Sequence, residues 1–225
     1  MLDTPATVDL AVTVRRAARA MGRHGLTHAY GHCSARIDAA TFLVCPAQPP
    51  GLVQPGEACV EVPVNGELPV GVLGEVRIHQ RIYRDRPEAG GVVRFMSPSM
   101  MSLAALGLTP KPRHGFGAYF APGPGLWDDP QLIRDAAKAD GVAAAMGAGA
   151  AVMMRGNGAV TAGRDLPEAV VLAWYLEDAC RVELEALRTG IDGPVMSPEE
   201  ARLRATREGR IFERMWQYLT AGDPE

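Results

Sequence analysis

Apolar residues recur at helical spacing across residues 8–24, "VDLAVTVRRAARAMGRH", through Leu10, Val14, Ala17, Ala18 and Met21. That period predicts an amphipathic helix with Arg15, Arg16 and Arg19 on its other side and Gly22 or Gly25 as its stop. The pattern then shortens. "CSARID" and "TFLVCPA" read as two strands joined through Asp38-Ala39-Ala40. "AQPPGLVQPGEA" is loop, and "CVEVPVNGELP" alternates around Asn65-Gly66, a hairpin signal. Residues 74–86, "GEVRIHQRIYRDR", return to a helical pattern that puts Glu75 and His79 on one face and stops at Pro87. "GGVVRFM" is a strand, and "SPSMMSLAALG" a helix with Ser97 as N-cap and Pro98 in first position.

The segment "TPKPRHGFGAYFAPGPGLWDDP" is loop-like, and "PQLIRDAAKADGVAAAMG" reads as helix in two pieces. "GAAVMMRGNGAVTAG" gives two short strands around a Gly-Asn-Gly turn. A long helix follows, "LPEAVVLAWYLEDACRVELEALR", capped by Asp165 with Glu168 completing a capping box. Its first half, Val170 to Leu176, is apolar on nearly every side, so it is buried between the sheet and another layer or at a subunit interface. A charged last helix opens at "SPEEARL" and ends in a polar tail. The order of elements predicts a mainly antiparallel sheet with helices on its faces, an α/β or α+β domain.

Charge narrows the function. A net charge of −3 spread over 225 residues leaves no basic stripe for a nucleic acid. No uncharged apolar run is long enough to span a bilayer, and the first residues lack the order of a signal peptide. Cys33, Cys45, Cys59 and Cys180 show no metal or redox spacing and are expected as reduced thiols in a soluble, cytoplasmic protein.

Four stretches, "GHCSARID", "GEVRIHQRIYRDRPEAGGVV", "GPGLWDDPQLI" and "MMRGNGAVTAGRDLPEAVVLAWYLEDAC", together resemble the class II aldolase/adducin family over about residues 8–190. The resemblance implies a three-layer α/β/α sandwich around a mainly antiparallel sheet of nine or so strands. It divides the chain into a family domain at 1–190 and a helical extension at 191–225 packed on it. It also implies a homotetramer with sites at subunit interfaces, and lyase chemistry on hydroxy-carbonyl compounds. "GHCS", "PAQPPG" and "DDPQLI" look closest to the decarboxylase-like branch.

The family holds a divalent metal with a His-x-His at a strand end and a third histidine in a glycine turn. At those positions this chain carries Arg94, Met96 and Asn157. Arginine cannot ligate a divalent ion, thioether sulfur is too soft for zinc, magnesium or manganese, and one amide oxygen is weak. The family metal is therefore expected to be absent, and no other cofactor is expected. His32 replaces a phosphate-site asparagine and Leu73-Gly74 replace a serine pair, which argues against a phosphorylated substrate.

The resemblance assigns Glu75 as acid or base, with His79 as an alternative proton carrier. Arg94 stands in for the metal's charge, and Asn157 supports the same oxyanion. His32, Ser34 and Arg94 are expected to bind a substrate carboxylate, although His32 and Ser34 would equally satisfy a turn. Met96 is either an apolar pocket floor or ordinary core, and His114 and Tyr119 either reach the site or are structural. His24 and His28 are read as surface or capping residues. The expected reaction is decarboxylation or aldol or retro-aldol cleavage through an enolate, on a small non-phosphorylated hydroxy or keto acid, aromatic or biosynthetic. A cyclase, dehydratase or isomerase and a non-catalytic scaffold stay open. So does a rebuilt metal site from His32, His79, His114 and Glu75.

Overall fold

Val92 and Val93 suit a pleated, doubly covered surface, and they form the middle of β4 (Gly91–Phe95), buried at every position. The computed structural model describes residues 5–225, so residues 1–4 of the expected first domain lie outside the described residues. Around β4 the sheet runs β3 (Val60–Pro63), β2 (Thr41–Val44), β1 (His32–Arg36), β4, β7 (Gly158–Gly163), β6 (Ala151–Met154), β5 (Gly125–Trp127). Every pairing is antiparallel except β5 with β6. Seven strands form among the described residues, against the nine or so implied by the resemblance.

Alternation along the strands divides the core in two. Cys33, Val93, Phe95, Met153 and Ala159 face a layer of α1 (Pro5–Arg23), α3 (Pro98–Ala105), α5 (Leu166–Thr189) and α7 (Ile211–Leu219). Phe42, Val62, Val92, Val152 and Val160 face α2 (Arg77–Asp85) and α4 (Ala136–Met146). This is the α/β/α sandwich the sequence led us to expect. The apolar half of α5 lies across β4 and β7 beneath α1, α3 and α7, and from Val170 to Leu176 only Trp174 is half-buried. The layer reading therefore accounts for its composition without a subunit interface.

Several local expectations change. Asn65-Gly66 does not make a hairpin: β3 pairs only with β2, and Gln80 of α2 donates to the carbonyls of Pro63 and Gly66 as the chain leaves the sheet. The loop before Trp127 ends in β5, three residues too short to show a period. Only one helical piece, α4, follows it, capped by Asp135, whose carboxylate accepts from the Lys138 N–H. Glu75 lies not in α2 but in a 3-10 turn, Gly74–Val76, ahead of it.

The caps differ too. Asp165 caps α5 through the Glu168 N–H, but the Glu168 carboxylate goes to Arg164 and Arg207, so the box is half made. The Ser97 hydroxyl does not cap α3; the Glu177 carboxylate does, accepting from Ser97 Oγ and from the N–H groups of Ser99 and Met100. Gly22 does not stop α1 by its own conformation. It packs where an added Cβ would lie 2.4 Å from Gly51 Cα, and Gly25, at φ +69°, makes the turn.

The charged last helix is two, α6 (Pro198–Arg204) and α7, and the tail beyond them is not free. Asp223 and Glu225 fold back onto α1, where Arg15 and Arg19 are buried rather than solvated. No helix among the described residues is long and apolar enough to cross a membrane.

Candidate active site

Antiparallel register sets the site. His32, which opens β1, lies directly opposite Arg94 near the end of β4. Arg94 is two residues beyond Val92 and so points to the α2 face, as His32 and Ser34 do. The β6–β7 turn brings in Asn157 from the same sheet end. It needs glycines: Gly156 and Gly158 sit at φ +68° and +90°, and a Cβ on Gly158 would lie 2.4 Å from the Phe95 carbonyl oxygen. The turn before α2 adds Glu75. Together these residues and Met96 line one cleft of about 720 Å³, whose walls include Tyr30, Leu73, Pro130 and Leu132.

Two hydrogen-bonded groups form the buried wall. In the first, Arg94 Nη2 pairs with Glu75 Oε2 at 3.1 Å and donates to Asn157 Oδ1 at 2.9 Å and to the Asn157 carbonyl at 3.1 Å. Asn157 Nδ2 donates to Glu75 Oε1 at 3.2 Å, and the Ile133 N–H reaches the same oxygen at 3.3 Å. Burial lowers the Arg94 pKa and the Glu75 carboxylate opposes that, so the guanidinium, which starts far above neutrality, stays charged. Its Nε is buried and has no partner.

The second group is a chain. His32 Nδ1 is 2.8 Å from His79 Nε2, His79 Nδ1 is 2.6 Å from Ser34 Oγ, and Ser34 Oγ is 2.9 Å from the Tyr83 hydroxyl. The Tyr83 hydroxyl also reaches the Ser34 carbonyl at 2.9 Å. Burial, with Arg94 nearby, pushes His79 down to about 3. Burial, then His79, then Arg94 hold His32 well below the ordinary histidine range, so both rings are neutral at pH 7. His32 Nε2 is the one ring nitrogen of the pair without a partner.

Of the residues expected at the site, Glu75, Arg94, Asn157, His32 and Met96 line the cleft. His79 and Ser34 lie behind the wall, fully buried, and meet the cleft only through His32. Within one chain His114 and Tyr119 are not part of it. His114 sits 3.5 Å from Asp178, and the Tyr119 hydroxyl donates to the Thr206 carbonyl in an aromatic cluster with Tyr175 and Phe212. His24 Nε2 donates to the Leu219 carbonyl, and His28 is exposed. Sequence reasoning missed Tyr83, although it falls four residues after His79 on the same helix face. It also missed Arg134, an exposed cation on the cleft wall with no carboxylate partner among the described residues.

A divalent ion does not fit these donors. At the strand end the chain offers a guanidinium, a thioether and an amide whose oxygen already accepts from that guanidinium. The four-residue alternative fails on geometry: His114 is elsewhere, and both nitrogens of His79 are engaged. Among the described residues no group of three or more His, Cys, Asp or Glu could hold a metal.

The chain belongs to the Class II Aldolase and Adducin N-terminal domain family, which it matches over residues 12–184. It is 30% identical to the 3,4-dihydroxyphthalate decarboxylase of a Terrabacter species, over 79% of this chain and 81% of that one. It is 24% identical to the decarboxylase tropJ of Talaromyces stipitatus, over 96% of this chain and 94% of that one. Among solved structures, L-fuculose 1-phosphate aldolase from Glaciozyma antarctica superposes with a TM-score of 0.76 at 20% identity, covering 97% of this chain and 94% of that one, which supports the fold alone.

Proposed function

We propose that the protein is a lyase that removes carbon dioxide from a small, non-phosphorylated hydroxy or keto acid, aromatic in its best-fitting form, without a metal ion. One observation carries the reading. Arg94 Nε and His32 Nε2, neighbours across the β1–β4 ladder, are both buried without partners at the cleft wall. A buried polar atom left unpaired costs about 1–3 kcal/mol, so two side by side argue for a ligand that supplies the acceptors.

The cleft's size suits a small ligand. Tyr30, Leu73, Met96, Pro130 and Leu132 offer apolar contact to a planar body, and Arg94 takes the carboxylate. Arg134 at the wall favours a second negative group. As the C–C bond to the carboxylate breaks, its electron pair passes into a conjugated carbonyl oxygen of the substrate (for a phenol, that of its ring-keto tautomer), and the carbon that held the carboxylate takes a proton from solvent. The Arg94 guanidinium, oriented by Glu75 and Asn157 and bound to the carboxylate beside that oxygen, offsets the developing charge with a fixed positive one. Both curated relatives carry the name decarboxylase, in keeping with this direction of cleavage.

The test is carbon dioxide release from 3,4-dihydroxyphthalate and simple hydroxybenzoates, with and without a strong chelator. Turnover that survives chelation and is lost in Arg94→Ala supports the proposal. Turnover that needs an added divalent ion rejects its metal-free part. Release of an aldehyde instead of carbon dioxide from a hydroxy acid rejects the decarboxylase part.

A further inference from the structure

Arg94 and His32 present different chemistry to the cleft, although both lack a partner there. A guanidinium only donates. A neutral imidazole nitrogen donates or accepts, and which it does depends on the bond its other nitrogen makes. For His32 that other bond leads into the chain through His79 and Ser34 to Tyr83.

The chain closes in either direction. In one arrangement Ser34 Oγ–H donates to His79 Nδ1, His79 Nε2–H donates to His32 Nδ1, and His32, which lines the cleft, keeps Nε2–H as a spare donor. In the other, His32 Nδ1–H donates to His79 Nε2, His79 Nδ1–H donates to Ser34 Oγ, and Ser34 Oγ–H donates to the Tyr83 hydroxyl. His32 Nε2 is then a spare acceptor. The Tyr83 O–H donates to the Ser34 carbonyl in both. Each arrangement holds the same number of protons, and every interior polar atom keeps a partner in each.

The geometry points to His32 as the residue that recognises a hydroxyl or carbonyl oxygen next to the substrate carboxylate, with His79, Ser34 and Tyr83 positioning it. This rests on the acid-binding reading above and narrows its substrate class. The carboxylate goes to Arg94, which can only donate. The neighbouring oxygen, a phenolic or alcoholic hydroxyl or a keto group, goes to His32. When a keto acid is cleaved, that oxygen takes up the C–C electron pair and goes from carbonyl to enolate oxyanion, and the arrangement with His32 Nε2–H donates to both forms; a substrate hydroxyl is met by the arrangement with a bare His32 Nε2. The groups facing the pair are the Arg94 guanidinium, with Glu75 behind it, and the Tyr83 hydroxyl, so no carboxylate contacts either ring.

The experiment is calorimetric binding of benzoate, salicylate and 3-hydroxybenzoate to the full chain at pH 7, with the imidazole ¹⁵N spectrum recorded before and after. At least one hydroxy acid is expected to bind about tenfold more tightly than benzoate, the value of one well-placed hydrogen bond. The ratio should fall to within about twofold in His32→Phe, where the partner is gone. The His32 Nε2 signal should move between its protonated and bare forms when the hydroxy acid binds, and in His79→Leu it should no longer do so. Equal binding of all three acids, a preference that survives in His32→Phe, or a His32 signal that ignores the hydroxy acid overturns the inference and leaves the acid-binding reading standing. If none of the three binds, that reading fails and takes this inference with it. The wild-type titrations and spectra decide the matter even if a variant does not fold.

Discussion

Arg15 and Arg19 on α1 are buried, as Arg94 on β4 is more deeply, yet the two places use their charge differently. Every nitrogen of Arg15 and Arg19 has a partner: the carboxylates of Glu225 and Asp223, and the carbonyls of Glu57 and Val53. Arg94 has one carboxylate, one side-chain amide and one carbonyl, all on the same nitrogen, and its Nε is buried and unpaired. The first cluster joins residues 220–225 to the first helix and is saturated. The second is held rigidly from one side and left incomplete on the other. A buried charge whose bonds are all used stabilises an arrangement; one with a bond to spare is available to a ligand.

Removing one arginine from each place should separate the roles. Arg94→Ala is expected to lower kcat/KM by about 10²–10³, the usual loss for a transition-state donor, while the protein stays folded. Circular dichroism and steady-state assay check this, and a variant that keeps full turnover sinks the role of Arg94. Arg19→Ala is expected to lose about 3 kcal/mol of unfolding free energy, because it removes the short ion pair to the buried Asp223 and leaves that carboxylate only Arg23 at 3.5 Å. Urea unfolding measures that loss, and turnover below the melting range should not change. Loss of turnover in folded Arg19→Ala would erase the contrast between the clusters.

Acid distinguishes the regions by window. The His32 and His79 rings have folded pKa values below the ordinary 6.5. Their neutral forms favour the fold above that value, and stability falls as pH drops from about 6.5 toward 3, because the unfolded chain binds more protons. The slope is at most about 1.4 kcal/mol per pH unit for each ring. Glu225 is held down to about 2, first by its hydrogen bond from Arg15, so its share is present above the ordinary carboxylate value and is lost lower, between about 4.5 and 2. Urea midpoints from pH 7 to pH 3 should therefore start to fall near 6.5, and His79→Leu should flatten the upper part of the curve only. A wild-type curve flat from pH 7 to 5 would contradict neutral buried rings.

The smallest effect calibrates the others. Asp165→Ala removes the N-cap of α5 and should cost about 1 kcal/mol with no change in turnover. A larger loss would mean that the Arg164, Glu168 and Arg207 cluster beside it depends on that cap.

Period and turn chemistry made much of the fold legible. The strand at Gly91–Phe95, the glycine turn around Asn157 and the buried half of α5 each follow from local sequence. The site was legible where family resemblance met a change of chemistry: arginine, methionine and asparagine at positions expected to hold histidines. Sequence by itself thus determined the layers and the unsuitability of those side chains for a divalent ion. Tertiary structure alone decided which partners those side chains meet. Register across β1 and β4 put His32 beside Arg94, and the packing of α2 onto that face turned His79, Ser34 and Tyr83 into a chain behind the wall. It also buried Arg15 and Arg19 under residues more than 200 positions away, and kept His114 and Tyr119 from the cleft of their own chain. The physical reason is one of range. Periodicity says which face a residue occupies, whereas partners in a hydrogen-bond network depend on which distant element covers that face.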